Sequence, residues 1–275
     1  MNCIFTVLHP KSKNFFLNFI ESVNSQTASN FFLFLCLNNV TIEKKKISKI
    51  KCKYFLFKVN TNPGAARKKA FDKLKEFKTK NIIFVDSDDI LKKKRLEFDL
   101  EKLKNNDFVV TNLRKINKSG LVLKKDSMFD NIGNNQEITY NLIKDTNFIG
   151  FSNLSIRSKV FFKVNKFLNF SLVALDWALA KILVINLYKG RFYKKTLTYY
   201  RQYDDNIATG LNDANFKDIR FIIKVKLEHY LFFQKKFNCD YSLMISLLKL
   251  VDKKKLQCKI IKKNNLWWNI NILKS

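Results

Sequence analysis

The sequence predicts an α/β fold, a parallel sheet with helices on both faces. Short apolar runs alternate with amphipathic stretches from Cys3 to Leu113, and strands separated by helices build such sheets. The chain also has the means to fill a core. Of its 275 residues 47% are hydrophobic and 27 are Phe, while only 6 are Gly and 2 are Pro, which excludes disordered and collagen-like chains. The length allows one large domain or two small ones.

The elements follow in order. Cys3–Leu8 is a buried strand ended by His9-Pro10. Over 13–26, Phe15, Phe16, Phe19, Ile20 and Val23 fall at helical spacing. Phe31–Leu37 and Tyr54–Val59 are the second and third strands, the former broken by Asn38-Asn39. A helix over 64–78 turns Ala65, Ala66, Ala70, Phe71 and Leu74 to one side, Asn81–Val85 is a fourth strand, and a charged helix over 92–104 turns Leu96, Leu100 and Leu103 inward. Asp107–Leu113 is a fifth strand. The stretch 120–150 holds Gly120, Gly133 and Gly150 and reads as loop-rich, a usual place for substrate contacts. Beyond it the pattern predicts a strand over 151–157, a helix over 175–187 and a strand pair over 191–201. From 216 onward the pattern is helical and basic, with Phe221, Ile222, Val225, His229 and Phe232 on one face and Trp267-Trp268 near the end.

Composition excludes several chemistries. Five cysteines, an odd number with no CxxC pair, read as inert thiols of a reduced, intracellular protein. Two histidines are too few for a His-rich metal site. The N-terminus lacks the basic start and apolar stretch of a signal peptide, and the longest apolar run, Phe31–Leu37, falls far short of the ~20 residues of a spanning helix. A net charge of +29 suggests a polyanionic partner. Because Lys, Asn, Ile and Phe run high together, as in an AT-rich genome, charge alone does not assign nucleic acid as that partner.

Four features could carry chemistry. Asp86-Ser87-Asp88-Asp89 directly follows a buried strand, at the carboxyl end where open α/β sheets bind ligands. Packed carboxylates favour a counter-cation, and hard oxygen donors suit Mg²⁺ or Mn²⁺; a helix cap is the plainer use of Asp88 or Asp89. Asn60–Lys68 joins a strand to a helix, with Asn62 placed to cap and Pro63 at the first helical position. There Gly64 allows close approach to the backbone, and Arg67 offers a forked donor to phosphate. Asp176, between Leu175 and Trp177, is either a helix cap or a base with a raised pKa in a partly dry cleft. Tyr199–Asn206 combines aromatic residues with Arg201, suited to a diphosphate or a sugar face.

In this order and spacing the four features, over residues 3–206, resemble the family 2 glycosyltransferases, inverting enzymes of the GT-A fold. His9-Pro10 resembles the end of the family's opening strand. Asn60–Lys68 is similar to its Asn-x-Gly-x-Gly-x-Ala-Arg-Asn stretch, Asp86–Asp89 to its Asp-x-Asp motif, and Tyr200-Arg201 to its late Tyr-Arg pair. Asn38 or Asn39 stands where an acid commonly touches the nucleotide base, and Leu175 where an acid often precedes the catalytic Asp.

The resemblance implies a mixed sheet with helices on both faces over 1–210, followed by a basic helical extension over 211–275. It implies a nucleotide-sugar donor, most often uridine-linked, held by Pro10, Asn38, Asn60, Gly64, Arg67, Asp86 and Arg201. Asp88 would ligate Mn²⁺ or Mg²⁺, and Asp176 would be the base for a hydroxyl of a glycan or lipid-linked acceptor. The place of action would be the cytoplasm, with the basic extension on an anionic membrane surface at the inner face or packed on the domain. The alternatives are a nucleic-acid-binding protein, which needs no carboxylate trio at a strand end, and an inactive scaffold of the same fold.

Overall fold

The computed structural model describes residues 1–123, 127–203, 216–245 and 267, with backbone alone at 216–220. In chain order the elements are β1 (Asn2–Leu8), α1 (Phe16–Asn24), β2 (Phe31–Asn38), α2 (Lys44–Ile47), β3 (Lys53–Val59), α3 (Pro63–Leu74), β4 (Asn81–Phe84), β5 (Ile90–Leu91), α4 (Arg95–Lys102) and β6 (Phe108–Ile116). Then come β7 (Gln136–Glu137), α5 (Tyr140–Ile143), β8 (Leu154–Arg157), α6 (Ser158–Val164), α7 (Leu175–Ile185), β9 (Gly190–Arg201) and α8 (Phe216–Phe237). The backbone is helical again over 241–245.

The sheet runs β3-β2-β1-β4-β8-β6-β9-β5, with β7 added on β9. Side-chain alternation explains why its first strands are apolar throughout. On β1, Cys3, Phe5 and Val7 enter one core while Ile4 and Leu8 enter the other. On β2, Phe32, Phe34 and Cys36 part in the same way from Leu33, Leu35 and Leu37. Helices α3, α6 and α7 cover the first face, and α1 and α4 the second.

The alternation of strand and helix alone suggested a parallel sheet and the resemblance a mixed one; the sheet is mixed, because β8 lies antiparallel between β4 and β6. Two expectations are corrected. The stretch 191–201 is one strand, not a strand pair; it runs parallel to β6, with a register irregularity opposite Thr111–Leu113 that bends it without reversing it. The face that α8 buries is Ile222, Val225, Lys226, His229, Tyr230 and Phe233, leaving Phe221 exposed.

Lys226 sits inward because Asp145 accepts from its Nζ at 2.6 Å. Nearby, the side chains of Lys181 on α7 and Asp240 form a fully buried ion pair, and Tyr140 also donates to Asp240. His229 stacks on Trp177 of α7 at 3.9 Å. Through these contacts α8 joins the same core as the sheet.

Candidate functional site

A cleft of about 590 Å³ opens where β4 ends. Here the strand order turns from the parallel set to antiparallel β8, the switch point at which open α/β sheets bind ligands. Lining it are Pro10, Asn38, Arg67, Asp86, Asp88 and Asp176 among the residues expected from sequence.

The acidic loop alternates in direction. Asp86 and Asp88 line the cleft, while Ser87 points inward, its Oγ donating to the carbonyl of Val7 at 3.0 Å and bonding Ser12 Oγ at 2.7 Å. Asp89 is buried and accepts the Arg201 N–H at 2.7 Å; neither it nor Asp88 caps α4, which begins after Lys94 without a side-chain cap. Asp86 is held on two sides, by Arg67 Nη2 at 3.4 Å and Ser152 Oγ at 3.2 Å. Tyr203 OH donates to Asp88 Oδ2 at 2.7 Å. Burial, then the nearby Asp86 charge, pushes the Asp88 carboxyl up to about 6. Burial pushes Asp89 well above the usual carboxylate range.

Asp176 sits in the first turn of α7 and is partly buried. No cap bond is made by Ala174, the residue before the helix, and Asp176 Oδ1 accepts the N–H of adjacent Trp177 at 2.7 Å. Burial raises its pKa to about 7, with Trp177 N–H opposing and the Asp86 charge adding. The poised-base alternative thus has the environment it requires.

The Asn60–Lys68 stretch behaves in part as expected. Asn62 caps α3 by accepting Ala65 N–H at 2.9 Å, and Pro63 and Arg67 reach the cleft. Gly64 does not line it: a Cβ there would overlap the carbonyl oxygen of Phe170, so this glycine lets two chain segments approach rather than a ligand. Asn60 is exposed and also lies outside the lining. Asn38 accepts Thr61 N–H at 3.2 Å. Asn39, left-handed at φ 53°, donates to Thr61 O at 3.0 Å, so the pair ties β2 to this loop.

Arg201 is not a cleft residue either. Its Nε donates to Asp88 O at 2.7 Å, and its Nη1 donates to the carbonyls of Asn117 and Lys118 at 3.2 and 2.7 Å. It lies over the Phe15 ring at 4.5 Å. Buried in these contacts, it pins the acidic loop.

Sequence reasoning missed several contributors. His9 lines the cleft, its pKa lowered mainly by burial, with Asp86 opposing. Ser152 holds Asp86 and is itself steadied by Arg95, whose Nη1 donates to its carbonyl at 3.0 Å; Arg95 and Asp99 form a wholly buried pair. Trp267 enters the cleft from the C-terminal segment, and at 8% exposure it faces inward; Trp268 lies outside the described residues. The glycine-bearing stretch ending at Gly150 and the likeness of Gly150–Arg157 to the family's acceptor-side strand were the signals for 150–152.

The model of the family described as glycosyl transferase family 2 matches residues 4–164. The chain belongs to glycosyltransferase family 2. As a member it is a glycosyltransferase, and its mixed sheet with helices on both faces is the GT-A arrangement. The family match ends before Asp176, Arg201 and Trp267.

Solved structures of S. aureus TarS share the fold. TarS 1–349 in complex with UDP-GlcNAc matches with a TM-score of 0.62 and 15% identity, over 90% of this chain and 70% of that one. TarS 1–349 in complex with UDP gives 0.55 and 16%, over 88% and 75%. TarS 1–349 gives 0.59 and 17%, over 90% and 77%. No curated protein matches the chain in sequence. Among the described residues, no helix is long and apolar enough to cross a membrane.

Proposed function

We propose that this glycosyltransferase takes a sugar from a nucleoside-diphosphate donor, uridine-linked, and passes it with inversion to a hydroxyl of a glycan or lipid-linked acceptor. The observation that carries this reading is the meeting of Asp86 and Asp88 with Asp176 in one cleft at the sheet's switch point. The TarS structures with UDP and UDP-GlcNAc, in the same fold, support the uridine link.

In this reading Asp86, braced by Arg67 and Ser152, receives the nucleoside. Asp88 is the ligand for Mn²⁺ or Mg²⁺. Among the described residues no group of three or more His, Cys, Asp or Glu gathers into a cage. Such an ion would take one or two carboxylates and complete its shell with substrate phosphates and water. Bound there, such an ion would supply positive charge to the departing diphosphate. Asp176 takes the proton of the acceptor hydroxyl as its oxygen attacks the anomeric carbon from the face opposite the leaving group. The pKa of about 7 lets Asp176 accept that proton near neutral pH. The charge of +29 supports action beside an anionic membrane surface, where a lipid-linked acceptor is presented.

The test is a thermal-shift screen of nucleotide sugars with and without Mn²⁺, followed by product analysis. A uridine-linked donor should stabilise the protein more with the ion present, and turnover should release nucleoside diphosphate. Release of pyrophosphate would assign a nucleotidyl transfer instead. No response to any nucleotide sugar, together with salt-sensitive retention of RNA or DNA, would replace the reading with nucleic-acid binding.

A further inference from the structure

The C-terminal segment returns to the cleft at a single described point, Trp267. Its backbone pairs with Asn147, each N–H donating to the other's carbonyl, at 2.7 and 3.0 Å. Asn147 is itself fixed, since its side chain spans Ile149 by accepting the N–H at 2.9 Å and donating to the carbonyl at 2.7 Å. The indole lies in aromatic contact with Phe129 and Tyr200, at centroid distances of 5.4 and 5.6 Å. A Cβ on Gly150 would sit 2.8 Å from Cζ3 and Cη2 of Trp267 and 3.5 Å from Oδ2 of Asp176. The ring edge and the carboxylate thus both lie within reach of the one open Cβ position of Gly150. The ring is held on three sides and borders the cleft on the fourth.

We propose that Trp267 is a specificity-determining residue, the apolar wall beside Asp176 that excludes water and leaves room for the apolar face of an acceptor sugar ring. This rests on the reading of the cleft as a nucleotide-sugar site with Asp176 as base. Two nucleophiles compete there. With an acceptor, its hydroxyl oxygen bonds to the anomeric carbon, its proton passes to Asp176, and the bond to the diphosphate breaks with the electron pair leaving on the diphosphate. With water the same bonds break and the same proton transfer occurs, giving free sugar and nucleoside diphosphate. A flat apolar wall favours the ring over water because covering the wall releases no hydrogen bond and removes apolar area from solvent.

The experiment uses the full chain with UDP-GlcNAc and Mn²⁺, following UDP release without acceptor and product formation with a panel of p-nitrophenyl glycosides. In W267A, hydrolysis should rise and transfer should fall, changing their ratio at least about tenfold, the scale of one lost apolar contact set. The donor KM should stay constant, and W267F should restore most of the ratio. G150A crowds the same ring, its methyl falling 2.8 Å from Cζ3 and Cη2 of Trp267, while the indole itself is kept, so it should move the ratio the same way even if W267A folds poorly. An active wild type with W267A and G150A at unchanged ratios overturns this proposal alone. A wild type that neither hydrolyses nor transfers from any nucleotide sugar overturns it together with the reading on which it rests.

Discussion

Asp176 could not be resolved from its neighbours in the sequence, since an acid at a helix start is a cap as readily as a base. Burial, a property of residues far along the chain, raises its pKa and supports the proposed role as base. Its pKa of about 7 has two consequences. The rate of sugar transfer should rise with pH through about 7 as Asp176 loses its proton, and Asp176→Asn should lower kcat by about 10²–10⁴-fold and abolish that limb. Stability should respond in the opposite sense. The folded state holds this proton up to about pH 7 while the unfolded chain releases it near 3.8, so the wild type loses stability as pH rises between the two. Asp176→Asn should therefore melt higher than wild type at pH 8, with the difference vanishing near pH 4. Asp88 was legible from its place after a strand; Asp88→Asn should remove the Mn²⁺-dependent part of donor stabilisation in a thermal-shift titration. Arg201 and Gly64 were legible as unusual but not for their use, because both serve contacts with segments distant in sequence.

Among the elements, the apolar runs of β1, β2 and β4 could be read directly, for each strand is covered on both faces. The two-residue β5 and the short α6 carry too few residues for a period to emerge. The buried face of α8 was read in part: Ile222, Val225 and His229 point inward as expected, but a lysine does too, since Asp145 waits for it. The same logic makes the Lys181–Asp240 pair sensitive. Asp240→Ala leaves a fully buried ammonium without its counter-charge and should cost about 3–5 kcal/mol in chemical denaturation. Making the pair neutral with Lys181→Met and Asp240→Asn should recover part of that loss. At the start of α3, Gly64→Ala forces a methyl against the Phe170 carbonyl and should destabilise by about 1–3 kcal/mol.

For the whole molecule, alternation of strand and helix was enough to read an α/β class, and the order of motifs was enough to read the family. The antiparallel β8 was not legible, because four residues cannot declare which neighbours they will pair with. Nor was the depth to which the C-terminal part joins the core. Tyr230 and Phe233 of α8 are almost fully buried against the body. A chain ending at residue 210 should therefore lose its near-ultraviolet dichroism and bind a hydrophobic dye, whereas a cooperative melt like that of the full chain would show α8 to be dispensable.

The position of β8 has one more consequence. Every cleft residue up to Asp88 comes from the chain before it reaches the far half of the sheet, and every one from Gly150 onward comes from the return. The two banks of the cleft thus come from separate stretches of chain, joined at β8 by three residue pairs on each side and across the cleft by Ser152 on Asp86 and Tyr203 on Asp88. A crossover placed in the exposed turn around Lys104 and Asn105 would exchange one bank as a unit. Such a hybrid should fold well only where the partners of those two aspartates are kept.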